Sequence, residues 1–276
     1  DADYSGSDAF AVQISDGTDT DSITVNVTVN DAPEVSSINR GTSPGTELTN
    51  AASVEFDVTF SEAVNGIEAA DFETYTDGDV SGDVAITSGS EGDTTYTVNV
   101  SNITGDGTLR LDLTDDDGIT SADSATPLGG AGTAGTADGS HTGDQTYTID
   151  NTDPIANDDT TAETGENDAS AMLTNVNSSG DNLTDNDTGA ANVDPVVAVN
   201  GIAADVGSAV AGDNGGLFTV NGDGSVRFDP NNEFETLAAG ESQTTSVTVT
   251  VQDSVSNTST STLSVTIQGS NDASVL

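Results

Sequence analysis

The sequence predicts an all-β protein built of tandem β-sandwich modules in a linear array. Short runs of alternating apolar residues recur along the chain, which is the period-2 pattern of half-buried strands. Turn clusters of Gly and Asp separate these runs, and no segment sustains the 3.6-residue apolar period of an amphipathic helix. A stretch near the start of the chain also recurs near its end, which indicates repeated modules.

Seven runs define the clearest strands and their predicted inward faces. In chain order these are Phe10, Val12, Ile14; Ile23, Val25, Val27, Val29; Val54, Phe56, Val58, Phe60; Tyr96, Val98, Val100; Leu109, Leu111, Leu113; Val247, Val249, Val251; and Leu263, Val265, Ile267. Turns are predicted at Asp16-Gly17, Asp77-Gly78, Gly105-Asp106-Gly107 and Gly222-Asp223-Gly224, because Gly and Asp favour tight-turn backbones. Helix is limited to single turns, near Glu233 to Ala239.

The internal repeat sets the predicted domain boundaries. Residues 9–33 align, with small insertions, on residues 246–274, so the opening of the chain has the sequence of a domain's end. We therefore expect residues 1–33 to be the C-terminal strands of a truncated module, in a window taken from a longer array. Residues 34–153 and 154–276 are then complete modules, near the usual size of a domain.

Composition excludes several classes of partner and chemistry. The 276 residues carry 48 acids against three arginines and no lysine, a formal net charge of -45 that repels nucleic acid and anionic membrane surfaces. No apolar run approaches the roughly 20 residues of a membrane span, and the first residues lack the features of a signal peptide. The absence of Cys and the single His141 exclude thiolate zinc sites and histidine clusters.

Enzyme activity is not expected. Gly130 to Gly135 matches a dinucleotide pattern, but it lies in a Gly/Ala/Thr loop without a βαβ unit. His141 is in the same stretch and is interpreted as a solvated loop residue. Paired carboxylates could indicate a glycosidase, yet the chain has no Trp and only 4% aromatic residues with which to build a sugar-stacking cleft.

Several motifs resemble repeats of giant bacterial surface adhesins of the RTX type. The last module resembles VCBS or cadherin-like repeats through Asn182-Leu-Thr-Asp-Asn-Asp-Thr188, Phe218 to Ser225 and Phe234 to Glu241. The middle module is similar to bacterial Ig-like repeats through Val54 to Val64, Gly105 to Leu111 and Tyr147 to Pro154, and residues 1–33 resemble the end of a cadherin-like repeat. The resemblance implies Ig-like and cadherin-like β-sandwiches in an extracellular array stiffened by calcium.

Two positions depart from the family pattern. The usual Asp-Gly of the penultimate hairpin is Asp253-Ser254, which puts that turn in doubt, and the closing Pro is replaced by Ser274. The glycine-rich nonapeptide calcium repeats of such proteins are absent from this sequence.

The excess of acids requires neutralisation by salt, by bound cations or by both. Calcium is the natural cation, because it takes six to eight oxygen ligands and needs neither His nor Cys. A salt-adapted surface without specific sites explains the same composition, and that alternative stays open here.

The module junctions are the first predicted calcium sites, because the loops at the end of one sandwich and the start of the next can share one cation. The acids concerned are Asp31, Asp150, Asp153, Asp158, Asp159 and Asp272. The alternative is that these are ordinary turn and linker residues.

Two loops provide further candidates. Asp185, Asp187 and the nearby Asp194 offer enough oxygens to wrap one calcium ion, at the position where the resemblance implies a site; a solvated acidic turn is the alternative. The third candidate is Asp115-Asp116-Asp117-Gly118 with Asp123 and Glu62 from a neighbouring loop. It fails the EF-hand spacing, so a different calcium loop and a plain charged hairpin remain equal alternatives.

The favoured function is a non-catalytic calcium-binding extender of a large extracellular bacterial adhesin or surface fibre, located at the cell surface and stiffened by Ca²⁺ at module junctions. Its partners are then neighbouring modules of the same array, without nucleic acid or membrane insertion. One alternative is a self-assembling filament or sheath subunit, in which residues 1–33 add strands to an identical chain. Another is a ligand-binding adhesive module, for which Gly129 to Gly143 is the only long irregular loop.

Overall fold

The computed structural model describes residues 6–29, 31–114, 118–130, 139–161, 164–174, 176 and 179–271. The chain forms two compact units, unit 1 over residues 1–150 and unit 2 over residues 151–276. The all-β prediction is confirmed, since strands make up 52% of the structure. Helix among the described residues is limited to the 3₁₀ turns Ala69–Asp71, Leu183–Asn186 and Ala203–Asp205, none long and apolar enough to cross a membrane.

Unit 1 contains a two-stranded hairpin and a β-sandwich. The hairpin pairs β1 (Gly6–Ser15) with β2 (Thr20–Val29). The sandwich strands are β3 (Val35–Arg40), β4 (Leu48–Thr49), β5 (Ser53–Asn65), β6 (Phe72–Gly78), β7 (Ser81–Ser88), β8 (Asp93–Thr104), β9 (Gly107–Leu113), β10 (Thr120–Ser121) and β11 (Thr146–Ile149). One sheet has the order β10-β5-β8-β7, with β3 also on β5, and the other has the order β4-β11-β9-β6.

The two sheets of the unit 1 sandwich bury one shared core. Phe56 on β5 and Tyr147 on β11 are both fully buried, and their rings meet edge to face at 5.3 Å between centroids. Tyr147 also donates its hydroxyl to the Glu55 carbonyl oxygen at 3.0 Å, which satisfies its polar end inside the core. The alternating residues of β5, β8 and β9 are buried as predicted, because the opposite sheet covers their apolar face.

Unit 2 is a second sandwich with its own core. Its strands are β12 (Asp159–Thr160), β13 (Thr164–Gly165), β14 (Ala171–Met172), β15 (Val196–Val199), β16 (Ala209–Ala211), β17 (Leu217–Val220), β18 (Val226–Asp229), β19 (Ser242–Gln252) and β20 (Thr258–Gln268). They form a sheet of order β12-β20-β19-β15, with β13 also on β20, and a sheet of order β14-β18-β17-β16. Phe218 and Phe228 pack at 4.8 Å in a core shared with the valines of β19.

The early strands of unit 2 run parallel to its last strand. Asp159 of β12 pairs with Leu263 of β20, and Thr164 of β13 pairs with Ile267, both in parallel register. The last two strands form a long antiparallel hairpin in which Ser242 faces Gln268 and Gln252 faces Thr258. The chain therefore enters and leaves this sheet along one strand direction.

The structure corrects three details of the sequence analysis. The apolar residues predicted to face inward on β1 and β2 are exposed, except for the half-buried Val25, because no second sheet covers the hairpin among the described residues; Phe10, for example, is 54% exposed. Residues 233–239 form hydrogen-bonded turns and not a helical turn. The Asp253-Ser254 turn does form, because Asp253 accepts hydrogen bonds from the main chains of Val255 and Asn257.

Candidate cation sites

A cavity of about 540 Å³ in unit 2 brings together three of the acids predicted from sequence. Asp185, Asp187 and Asp194 all line it. Asp223, in the turn between β17 and β18, and the polar side chains of Asn182 and Thr184 also line it. The cavity therefore has an oxygen-rich wall drawn from three separate loops.

The acidic loop is held in place by helix capping and an apolar anchor. Asn182 caps the 3₁₀ turn by accepting from the Thr184 main chain at 3.1 Å, while Oδ2 of Asp185 accepts from the Asn182 main chain at 3.0 Å. Leu183 between them is buried in the core. Gly224 allows the approach of Asn182, since a Cβ there would collide with the Asn182 side chain and its φ of +85° favours glycine.

The first segment of unit 2 joins this loop. Asn157 donates its main-chain N–H to Oδ1 of Asp187 at 2.8 Å and its side-chain amide to the Asn186 carbonyl at 2.7 Å. Asn186 in turn donates its side-chain amide to the Asp158 carbonyl at 3.3 Å. The main chain of Asp158, predicted as a junction acid, is therefore tied to the loop of Asp187, while its carboxylate accepts from the Thr262 main chain at 2.8 Å outside the cavity.

Two features of this loop favour a cation. Oδ1 of Asn186 is buried and has no hydrogen-bond partner among the described residues. Burial also raises the pKa of Asp187, against the opposing effect of the hydrogen bond from Asn157. A buried acceptor without a donor and a carboxylate whose charge is penalised by burial are both stabilised by a bound positive ion.

A second cavity of about 440 Å³ lies in unit 1, where the hairpin meets the sandwich. It is lined by Asp31, Glu62 and Asp123, together with Ser61, Ala32 and the hairpin residues Gly6, Thr28 and Val29. Glu62 lies near the end of β5, and its Oε1 is buried without a hydrogen-bond partner among the described residues. The structure thus places the junction acid Asp31 on the same cavity as two acids predicted for a different site.

Ser61 fixes the position of the linker beside Glu62. Its hydroxyl oxygen accepts from the Glu34 main chain at 2.9 Å, and its own N–H donates to the Glu34 carbonyl at 2.8 Å. Asp123 is exposed, and its main-chain N–H donates to the Ser121 hydroxyl at 3.3 Å. The linker and the loop after β10 are therefore both tied to the sandwich close to the cavity.

The other predicted acids have different surroundings. Asp159 is buried in β12, Asp150 is partly buried after β11, and Asp153 is exposed. Asp194 is exposed on its cavity with a left-handed backbone, at φ 45°. Asp115, Asp117 and Asp272 lie outside the described residues, as does most of the loop from Gly129 to Gly143.

Neither cavity contains a tight cage of acids. No group of three or more His, Cys, Asp or Glu side chains in the described part of the chain has the geometry to hold a metal ion. The residues present fit a hard cation only through mixed ligation, in which carboxylates combine with amide and main-chain oxygens and with water. Such a donor set is typical of calcium and gives weak sites, with a Kd on the order of 10⁻⁴ to 10⁻³ M in extracellular modules.

Sequence reasoning missed the polar residues that connect these acids. Asn157 and Ser61 carry no motif of their own. The partner of Asn157, Asp187, is 30 residues away, and the partner of Ser61, Glu34, lies in the linker before β3. Glu166 was missed as well, although it is buried in unit 2 at 1% exposure. A single Glu in a polar stretch carries no signal that distinguishes it from a surface residue.

Comparison with known proteins identifies similarity of fold alone. No protein-family model matches the chain, and no curated protein sequence matches it. Part of a 1.5-MDa bacterial ice-binding adhesin is similar in structure over 99% of this chain and 76% of that chain, at 14% sequence identity and a TM-score of 0.44. Domains EC1–3 of mouse clustered protocadherin PcdhgC3 are similar over 95% of this chain and 77% of that chain, at 12% sequence identity and a TM-score of 0.39. Domains EC22–24 of mouse cadherin-23 are similar over 96% of this chain and 74% of that chain, at 14% sequence identity and a TM-score of 0.35.

Proposed function

We propose that this chain is a non-catalytic, calcium-binding extender segment of a large extracellular bacterial adhesin or surface fibre. One observation carries the proposal: two buried side-chain oxygens have no hydrogen-bond donor among the described residues, Oε1 of Glu62, which lines the cavity in unit 1, and Oδ1 of Asn186, which lies between two acids of the cavity in unit 2. The division into three modules, residues 1–33, 34–153 and 154–276, is part of this proposal. So is the membership of the parent protein in the RTX-type adhesins and of the last module in the VCBS repeats.

No basic side chain of the protein neutralises the acids of the two cavities, so a bound cation has to do so. The sequence has only three arginines and no lysine. Arg110 forms a two-pronged ion pair with Asp112, Arg40 donates to the Thr146 carbonyl, and Arg227 donates to the Ser170 carbonyl. None of the three lines either cavity, so the acids there have no basic side chain to neutralise them.

Calcium suits both the ligands and the proposed location. Weak oxygen sites fill at the millimolar calcium of an extracellular medium and stay empty at the low calcium of a cytosol. A ligand that binds only the folded state stabilises it, by about 1.4 kcal/mol per site for millimolar calcium and a Kd of about 10⁻⁴ M. Folding would then be favoured after export, and each filled site would restrict the loops that meet at a module end.

The test is a thermal melt of the whole chain in EGTA, in millimolar calcium and in molar sodium chloride. We expect calcium to raise the Tm by a few degrees per filled site and sodium chloride to reproduce only a small part of that increase, because specific ligation is not achieved by screening. Equal stabilisation by both salts would reduce the acids to a salt-adapted surface and remove the calcium sites from the proposal.

The exposed hairpin favours a second candidate function, a filament or sheath subunit that assembles by strand addition. Phe10, Val12, Ile23, Val25 and their neighbours form one apolar face, because Phe10 pairs with Val25 and Val12 pairs with Ile23 across the hairpin. Among the described strands, β1 and β2 pair only with each other, so both outer edges can accept another strand.

Sedimentation velocity of the whole chain over a range of concentrations tests this second function. Assembly that grows with concentration and is lost in Val12→Asp, but is kept in the control Ile202→Asp on the exposed surface of unit 2, would support it. A monomer at every concentration, with and without calcium, would exclude it.

A further inference from the structure

An Asn-Gly pair stands at the end of β5 in unit 1. Asn65 is the last residue of this strand, and Gly66 follows it at a φ of +84°. A Cβ on Gly66 would collide with the Gly118 carbonyl oxygen, so the backbone requires glycine at this position. Because glycine has no side chain, its main-chain nitrogen can approach the preceding side chain with little hindrance. The pair is therefore one in which this nitrogen can attack the carboxamide of the preceding residue.

A carboxylate is held against that nitrogen. The Gly66 main-chain N–H donates to Oε2 of Glu91 at 3.0 Å and to Oε1 at 3.2 Å. Glu91 lies in the turn between β7 and β8, and two bonds to the Val64 carbonyl fix this turn beside the end of β5. The Gly92 main chain donates to that carbonyl at 2.9 Å and the Tyr96 hydroxyl donates to it at 3.0 Å. A base is thus in contact with the nitrogen that has to lose its proton.

The Asn65 side chain differs from those of the other Asn-Gly pairs, of which the sequence has three. In each of these three a hydrogen bond holds the Asn side chain: Asn200 Oδ1 accepts from the Thr248 main chain at 3.0 Å, the Asn214 amide donates to the Thr244 carbonyl at 3.0 Å, and the Asn221 amide donates to the Ser225 hydroxyl at 2.9 Å. The Asn65 side chain is half-buried and has no hydrogen-bond partner among the described residues. Its carboxamide is therefore free to turn towards the Gly66 nitrogen.

We propose that Asn65 is a site of self-catalysed deamidation, in which Glu91 acts as the base. Glu91 takes the proton of the Gly66 nitrogen, and this nitrogen forms a bond to Cγ of Asn65. The C–N bond of the carboxamide then breaks, and the proton held by Glu91 goes to the leaving group, which departs as ammonia. Water opens the resulting cyclic imide and leaves aspartate or isoaspartate at this position. The step needs only water, so the inference is independent of the proposed calcium-binding function.

The product alters the edge of the unit 1 sandwich. Asn65 pairs with Thr120 of β10, a strand of two residues, and the preceding Val64 is fully buried. An isoaspartate adds one carbon atom to the main chain at this register position and a negative charge beside Glu91. We expect the pairing of β5 with β10 to be lost in the modified chain, so the reaction slowly loosens one edge of unit 1.

The first test follows deamidation of the unchanged chain at neutral pH by peptide mapping. Arg40 and Arg110 are the basic residues on either side of Asn65, so trypsin releases residues 41–110 with one Asn-Gly pair and residues 111–227 with the other three. Mass spectrometry should show that Asn65 deamidates several-fold faster than each of the other three. In urea the four rates should converge, because the fold then no longer distinguishes them. A rate at Asn65 no higher than the others in the folded chain, or an equal lead in urea, would overturn the inference.

The second test is the variant Glu91→Gln, with Glu73→Gln as its control. A glutamine amide oxygen can still accept the Gly66 N–H but is too weak a base to take its proton, so the rate at Asn65 should fall several-fold. Glu73 is exposed on β6, and its replacement removes the same charge without changing the rate. An unchanged rate in Glu91→Gln, or an equal fall in both variants, would contradict the role of Glu91. The first test decides the question if the variant does not fold.

Discussion

The main-chain N–H of Asn157 and Oδ1 of Asp187, 30 residues apart in sequence, are joined by a hydrogen bond of 2.8 Å. This bond ties the first segment of unit 2 to its acidic loop. Because Asp187 has a raised pKa through burial, the bond alone does not offset the cost of its charge.

Replacement of Asp187 by Asn should affect the calcium-free and calcium-bound protein in opposite directions. The pKa of Asp187 is raised in the folded state, so the stability that this residue contributes is present below the ordinary Asp pKa and is lost as pH rises through the folded-state pKa. At neutral pH the charged Asp187 therefore destabilises the calcium-free protein. Asp187→Asn should therefore be as stable as wild type or more stable in EGTA, with a smaller gain from calcium. Calorimetry in both media measures this.

The control for this prediction is Asp205→Asn, which removes the same charge from unit 2 outside the cavity. It should leave the calcium-induced gain unchanged. A full calcium response in Asp187→Asn would show that this carboxylate is not a ligand.

Replacement of Glu62 by Gln should weaken cation binding in unit 1. Terbium(III) prefers the same oxygen ligands as calcium, and tyrosine can sensitise its emission. All tyrosines of the chain lie in the first 150 residues, and the Tyr96 hydroxyl donates to the Val64 carbonyl, two residues from Glu62. Sensitised emission at low terbium should fall several-fold in Glu62→Gln and persist in Glu73→Gln, on the exposed surface of β6. Equal emission from both variants would contradict the assignment.

Replacement of Tyr147 by Phe should destabilise unit 1. The variant removes the hydroxyl that donates to the Glu55 carbonyl at 3.0 Å, and because that carbonyl still accepts from the Gly41 main chain at 2.7 Å, the cost is about 0.5 to 1.5 kcal/mol. Denaturant unfolding followed by tyrosine fluorescence reports on unit 1 alone. Tyr75→Phe is the control, since its ring is 56% exposed and it should change the midpoint little.

The same residue predicts an alkaline transition of unit 1. Burial raises the pKa of Tyr147 to about 12. The stability that depends on its protonated hydroxyl is therefore present below the ordinary value of 10.0 and is lost as pH rises through about 12. Burial also raises the pKa of Tyr96, so absorbance at alkaline pH should show buried tyrosines titrating above pH 10, with Tyr147 titrating together with unfolding; titration of every tyrosine near pH 10 would contradict this.

Replacement of Asp213 by Ala should destabilise unit 2 by about 1 kcal/mol at neutral pH. Its Oδ1 accepts from the Ser246 main chain at 2.6 Å, which together with other bonds from Ser246 and Thr245 lowers the pKa of Asp213. A lowered pKa contributes stability that is present above the ordinary Asp value and is lost as pH falls through the folded value. The difference between wild type and Asp213→Ala in urea unfolding should shrink towards pH 3; a constant difference would contradict this.

The long strands could be predicted from sequence because alternation records which residues share a face. Every second residue from Val54 to Phe60 and from Leu263 to Ile267 is buried as predicted. The same alternation in Phe10 to Ile14 gave strands with an exposed apolar face, because the pattern does not record whether a second sheet is present. Strands of two residues such as β12 and β13 were not predictable, since their pairing with β20 defines them.

The candidate sites were predictable only where their ligands are neighbours in sequence. Asp185, Asp187 and Asp194 fall in one short stretch and line one cavity. Asp31 and Glu62 share a cavity only because the hairpin end is brought to the end of β5, which no local pattern reveals.

The parallel pairing of β12 and β13 with β20 determines how unit 2 would respond to tension. Pulling the two chain ends apart slides parallel neighbours past each other, so their main-chain hydrogen bonds are loaded together in shear and not opened one after another. The pairing of β4 with β11 in unit 1, also parallel, would be loaded in the same way. The rate at which each unit unfolds under load is then set by these short parallel strand pairs and not by the size of its core.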